Sequence, residues 1–175
     1  MDWGIANRLN RILKPATGRT VMLAVDHGYF LGPTSGLEEP RKTLEPLLPH
    51  ADSLMLTRGV LRNCVPPEAD IPIVLRVSGG TSILTELSGE GLTVAMEDAI
   101  RLNACAITLS IFVGAEGERE TLLNLARLVD EGEKHGIPVL AVTAVGKDMV
   151  RDARYLGLAC RIASGLPWRG RETKQ

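Results

Sequence analysis

At 175 residues, 45% hydrophobic and 23% charged, the chain has the length and balance of one soluble globular domain with a sizeable core. A formal net charge of −1 excludes a general electrostatic attraction to nucleic acid or to an anionic membrane surface. No apolar run reaches the ~18 residues that a membrane-spanning helix needs.

In chain order, residues 3–13 predict a short amphipathic helix. Ile5, Leu9, Ile12 and Leu13 share one face, and Pro15 and Gly18 end it. Five apolar runs follow: Val21–Val25, Ser53–Thr57, Ile71–Val77, Ala104–Val113 and Ile137–Val142. None alternates cleanly, as expected of strands in a parallel sheet covered on both faces. Between the first two runs, Leu31–Pro49 holds Pro33, Pro40, Pro46 and Pro49 and reads as part loop, part short helix. A helix is expected from about Thr93 to Asn103. The clearest helix is Glu118–His135, with Leu122, Leu125, Ala126 and Val129 as its core stripe, Gly136 as a left-handed terminator and Pro138 blocking continuation. A last helix is expected to start at an Asp148 N-cap and to bury Val150, Ala153, Gly157 and Cys160. From Ser164 to Gln175 there is neither strand pattern nor helix period. The expected division is therefore a domain over 1–163 and a disordered tail over 164–175.

The three cysteines, Cys64, Cys105 and Cys160, are too widely spaced for a disulfide framework or a zinc site. Cys105 and Cys160 sit in apolar text and are expected as reduced core residues. The Met1–Gly4 start reads as one without a signal peptide, which makes a reducing cytoplasm the expected compartment.

Five βα units between residues 21 and 163 average about 29 residues each, so eight would need about 230, near the ~250 of a (β/α)8 barrel. Five units alone also fit a doubly wound sheet of the flavodoxin or receiver type. Periodicity does not separate the two, so the residues at the strand ends must.

In both architectures ligands bind at the carboxyl ends of the strands. Those ends read Asp26-His27-Gly28-Tyr29, Thr57-Arg58-Gly59, Arg76-Val77-Ser78-Gly79-Gly80 and, on the fifth, Thr143 through Asp148. Adjacent Asp26 and His27 face opposite sides of an extended backbone. Asp26 is the better candidate for a barrel mouth, as a general base or hydroxyl clamp, against the alternative of a turn cap. Lys147 is the only one of the five lysines at a strand end, where it would form a Schiff base with a ketone or stand solvated beside Asp148. Arg58 and Arg76 carry forks suited to phosphate or carboxylate, or to a buried ion pair. Ser78 through Thr81 is a weak anion-nest signal. His27, His50 and His135 lie far apart, and no His-x3-His, Cys-x2-Cys or glycine-rich phosphate motif occurs. A phospho-acceptor receiver module would need an acidic cluster on strand one and an acceptor aspartate after strand three. The chain offers Asp26 alone and then Arg76 and Ser78, so only Lys147 fits that pattern.

Longer strings are more specific. Asp2–Gly4, Arg8–Ile12, Thr20–Tyr29, Gly32–Glu38, Leu56–Gly59, Val74–Gly79, Arg101–Asn103 and above all Ala141–Asp152 together resemble the class I aldolase-type barrels of the DeoC and fructose-bisphosphate aldolase group. The resemblance covers residues 2 to about 163. It implies an α/β fold, a partial (β/α)8 TIM barrel of about five parallel βα units behind an N-terminal helix. It also implies a Schiff-base mechanism with no metal and no cofactor, and a small phosphorylated ketone as substrate. In the thiolase branch that the strings fit best, an acetyl group passes to coenzyme A as co-substrate. The implied setting is a cytoplasmic homo-oligomer without nucleic-acid or membrane partners. Asp26 matches the family's strand-one active-site aspartate, and Thr143, Gly146 and Lys147 match its fifth-strand segment. His27, Arg58, Arg76, Ser78 and Thr143 are the expected substrate contacts, with Asp26 and Lys147 catalytic. The family's Schiff-base lysine lies on the sixth strand in an Ile-Lys-Thr-Tyr-Tyr-like string, which this sequence does not contain. The expectation is thus a chain truncated after its fifth unit, weakly active or inactive alone, with strands one and five as open, association-prone edges. A fructose-bisphosphate aldolase-like lyase and a non-catalytic remnant or binding module are the alternatives.

Overall fold

The computed structural model describes residues 2–146 and 152–165, so Lys147, Asp148, Val150 and the segment 166–175 lie outside the described residues. Helix α1 (Trp3–Ile12) is capped by Asp2, whose Oδ2 accepts from the N–H groups of Gly4 at 2.7 Å and Ile5 at 3.3 Å. Strands β1 (Met22–Ala24), β2 (Ser53–Thr57), β3 (Ile73–Arg76), β6 (Ala106–Val113) and β7 (Val139–Val145) form one parallel sheet in the order β1-β2-β3-β6-β7. That spatial order is the chain order. A receiver-type sheet reverses direction and runs 2-1-3-4-5; a sheet wound in one sense is the wall of a barrel, here about half of one.

Side-chain alternation splits the sheet into two faces. Leu23, Val25, Leu54, Leu56, Leu75, Ile107, Leu109 and Ile111 point outward and build the main core. They pack with residues of α3 (Pro40–Leu47), α4 (Arg58–Cys64), α5 (Met96–Arg101) and α6 (Glu118–His135). Met22, Met55, Val74, Ala106 and Val142 point inward and meet Ile12 of α1, which plugs the amino-terminal end of the half-barrel. The Leu31–Pro49 segment resolves into the end of a single turn, α2 (Gly28–Leu31), then loop, α3 and a 3-10 turn at Leu48–His50.

Helix α6 has the bounds expected from its stripe, and Gly136 ends it at φ +69°, in the left-handed region. Helix α5 is shorter than expected. Thr93 is taken by the sheet side, its N–H donating to Val77 O at 2.8 Å, and Asn103 turns the chain at φ +56°. An unexpected hairpin, β4 (Ser78–Gly79) with β5 (Gly91–Leu92), carries an eleven-residue loop, 80–90, near the carboxyl ends of β3 and β6.

The last helix, α7 (Ala153–Gly165), departs from expectation. Asp152 caps it, accepting from the Tyr155 N–H at 3.0 Å; the expected cap at Asp148 lies outside the described residues. Ala153, Gly157 and Cys160 are exposed and only Ala159 is buried. The reason is its position: α7 packs mainly on β7, the last strand of the sheet among the described residues. Cys105 is buried as expected, whereas Cys160 is not. Ser164 and Gly165 are helical, two residues past the expected domain boundary. Among the described residues, no helix is long and apolar enough to cross a membrane.

Candidate functional site

The inward alternation Met22, Ala24, Asp26 on β1, Val74, Arg76 on β3 and Ala106, Thr108, Ser110 on β6 brings Asp26, Arg76 and Ser110 together at the carboxyl ends of their strands. All three are nine-tenths or more buried. Arg76 is the hub. Its Nη1 donates to Asp26 Oδ2 at 3.1 Å, and its Nε to Ser78 O at 3.3 Å. Its Nη2 faces Glu90 Oε1 and Oε2, both at 2.8 Å, Ser110 Oγ at 2.5 Å and the Tyr29 hydroxyl at 3.0 Å. The Tyr29 hydroxyl in turn donates to Glu90 Oε1, and Ser78 Oγ donates to Glu90 Oε2 at 2.6 Å. The guanidinium carbon lies 5.4 Å from the Tyr29 ring centroid, within cation–π range. Burial, reinforced by the hydrogen bond to Glu90, pushes the Tyr29 phenol far above the ordinary tyrosine range, so it stays neutral and donates.

Glu90 is placed from three directions. It immediately precedes β5, its carbonyl accepts from Asn124 Nδ2 on α6 at 3.5 Å, and its loop is locked against the β6–α6 turn. There the Gly117 N–H donates to Ser88 Oγ at 3.0 Å, and a Cβ on Gly117 would stand 2.0 Å from Ser88 O. Gly79 serves packing too: a Cβ there would meet the Tyr29 ring at 3.0 Å.

Beside the cluster lies a cavity of about 210 Å³, lined among others by Tyr29, Thr57, Arg58, Arg76, Ser78 and Thr93. Arg58, the first residue of α4, is half-exposed on its rim and pairs with Asp98 at 2.8 Å. Arg62 and Arg101 converge on the same carboxylate, and the hydrogen bonds from Arg58 and then Arg101 hold Asp98 below the usual aspartate range. A larger hollow of about 410 Å³ on the outside of α6 is lined by Glu116, Glu118, Arg119, Leu122 and Leu123 and touches none of the strand-end residues. Of the two, only the smaller cavity is lined by strand-end residues.

Of the expected site residues, the structure gathers Asp26, Arg76 and Ser78 into one network and puts Arg58 at its rim. His27 sits at the start of α2, half-buried, with no side-chain hydrogen bond among the described residues. Thr143 does not face the mouth. It shares the outward parity of Val139 and Ala141, and its Oγ1 lies 3.9 Å from Cys160 Sγ on α7. Lys147 is outside the described residues. Tyr29, Glu90 and Ser110 are the members that sequence reading missed. Ser110 was detectable as a polar residue at inward parity in an apolar strand; Glu90, in a loop without pattern, gave no such signal. Among the described residues, no group of three or more His, Cys, Asp or Glu side chains is placed to hold a metal ion.

Comparison with known proteins bears on this arrangement. The model of the DeoC/LacD family aldolases matches residues 20–164. A 3-hydroxy-5-phosphonooxypentane-2,4-dione thiolase of Photorhabdus laumondii is 57% identical over 166 residues, covering 95% of this chain and 57% of the relative. The protein of that name from Escherichia coli K12 is 56% identical over the same span. The chain therefore spans somewhat more than half the length of the curated relatives it matches. Among solved structures, an archaeal fructose 1,6-bisphosphate aldolase superposes with a TM-score of 0.76 at 24% identity, over 93% of this chain and 67% of that one. Another, with its catalytic lysine covalently bound to the carbinolamine intermediate, gives 0.77 at 23% identity with the same coverage.

Proposed function

The chain belongs to the DeoC/LacD aldolase family, and from that premise we propose that it carries the Asp26 wall of a Schiff-base aldolase-type thiolase site. The substrate class is a small phosphorylated ketone, which the relatives' name supports, and the same proposal takes coenzyme A as acetyl acceptor and the cytoplasm as compartment. The observation that supports this best is Asp26 itself. It is buried at the carboxyl end of β1, gripped by Arg76 through Oδ2 only. Its Oδ1 accepts no hydrogen bond among the described residues and is not among the sealed polar atoms that lack a partner. A buried carboxylate with one oxygen fixed and one free suits a proton acceptor or hydroxyl clamp beside a ketone. Arg76, whose donors are directed at protein acceptors, acts in this reading by orienting Asp26 rather than by holding phosphate. Arg58, at the cavity rim, is the better placed of the two to meet an anionic substrate group.

Turnover by this chain alone is proposed to be weak or absent, because the family's sixth-strand lysine string is not in its sequence. Borohydride trapping with dihydroxyacetone phosphate, read by intact mass and peptide mapping, tests that. Folded protein is expected to trap no ketone, and an adduct on Lys147 would overturn the expectation by placing the amine at the end of β7. Binding of the same ketone, followed by NMR, tests the site. Perturbation of mouth residues that disappears in Asp26→Asn is expected, and no perturbation in folded protein would overturn the reading.

A further inference from the structure

Two carboxylates converge on one guanidinium, so Asp26, Glu90 and Arg76 carry a formal excess of one negative charge. The hydrogen bonds show which of the four oxygens are held. Glu90 commits both oxygens inside the cluster, Oε1 to the Tyr29 hydroxyl and Arg76 Nη2, Oε2 to Arg76 Nη2 and Ser78 Oγ. Among the described residues, Asp26 commits only Oδ2. Oδ1 of Asp26 is therefore the one oxygen of the two carboxylates that meets no donor among the described residues. If Nη2 were not held by Glu90, the guanidinium fork would be free to close on both oxygens of Asp26, the favoured bidentate pairing of arginine with a carboxylate.

We infer that Glu90 is a positioning residue: by holding the Nη2 side of Arg76 it restricts Arg76 to a single oxygen of Asp26 and leaves the other free for a ligand. Its own mobility is removed by Asn124 on α6 and by the close packing of Gly117 on its loop. That Oδ1 then acts on substrate rests on the proposed aldolase-type reading; the division of Arg76 between two carboxylates does not.

Tyr29 reports on Glu90. The charged groups facing it are Glu90 from the segment before β5, Arg76 from β3 and, across the cavity, Arg58 at the start of α4, with Asp26 beyond Arg76. The chain has two tyrosines, so in Tyr155→Phe protein Tyr29 is the single phenol and its ionisation is read by ultraviolet absorbance. In that background Glu90→Gln is expected to lower the Tyr29 midpoint by about one pH unit or more, because the anion is replaced by a neutral amide with a single acceptor oxygen while Arg76 stays. Glu90→Asp, which keeps the charge, is expected to hold the midpoint above that of the Gln variant. Nitrogen-15 NMR of the arginine side chains supplies the second readout. The Arg76 signal is expected to shift in Glu90→Gln as the fork closes on Asp26, and that shift is expected to vanish when Asp26→Asn is added. An unmoved Tyr29 midpoint or an unmoved Arg76 signal in folded Glu90→Gln protein overturns the inference. Failure of both Glu90 variants to fold overturns it as well, by reducing Glu90 to a structural residue. The reaction reading fails differently: parent protein that does not bind dihydroxyacetone phosphate, while Glu90→Gln still moves Tyr29 and Arg76, removes the chemistry and leaves the network standing.

Discussion

Arg76 is buried with two carboxylates around it, and its value lies in the cost of its absence. Arg76→Met leaves Asp26 and Glu90 without their shared counter-charge and is expected to destabilise the protein by about 3–5 kcal/mol, measured by urea unfolding. A loss under about 1 kcal/mol would mean that water reaches the cluster. Tyr29 gives the fold an alkaline limit. Its pKa is raised by folding, so the folded state keeps a proton that the unfolded chain has released. The contribution is complete below the ordinary tyrosine pKa of about 10 and declines as pH rises above it. Tyr29→Phe is expected to flatten this alkaline fall, checked by melting temperature against pH. Asp98 works in the opposite sense. Its pKa is lowered by Arg58 and Arg101, so its contribution is present at neutral pH and lost as acid drops below the ordinary aspartate range. Melting curves of parent and Asp98→Asn protein should converge there, and a constant gap down to that range and below would contradict the pairing.

At the scale of elements, the β4–β5 hairpin loop is what completes the mouth, and glycine decides whether it can lie there. Gly117 has an ordinary φ of −83°, so its requirement is space, not backbone freedom. Gly117→Ala drives a methyl into the Ser88 carbonyl and is expected to cost about 1–3 kcal/mol and to loosen the loop bearing Glu90, read by hydrogen exchange of the 80–90 segment. Gly157, inside α7 with open space around it, is the control: Gly157→Ala is expected to stabilise by up to about 1 kcal/mol through helix propensity alone. If the two substitutions behaved alike, the packing of the loop on Gly117 would be disproved.

For the whole molecule, the sheet of the described residues ends at β1 on one side and β7 on the other, with Val21 just before β1 60% and Leu140 in β7 37% exposed. Unpaired strand edges bearing apolar residues favour association. Light scattering is expected to give a mass above the 18.9 kDa of one chain, and Leu140→Glu is expected to shift the distribution toward it. A monodisperse monomer across micromolar concentrations would contradict this.

Local chemistry sufficed for much of this protein. The stripe and Gly136 bounded α6, and continuous apolar runs marked every strand of the main sheet, because each depends only on neighbours in the chain. Strings around Asp26 and Ala141–Asp152 were enough to indicate the family. What tertiary structure alone decided are the matters that depend on distant partners. The winding sense of the sheet, the exposure of Cys160 on the helix beside the last strand described, and the outward turn of Thr143 are of this kind. So is the convergence of Glu90 on Arg76 from a loop whose own sequence has no period. A buried charge is located by its counter-charge, and here that partner is fourteen residues away in sequence yet within 2.8 Å in space.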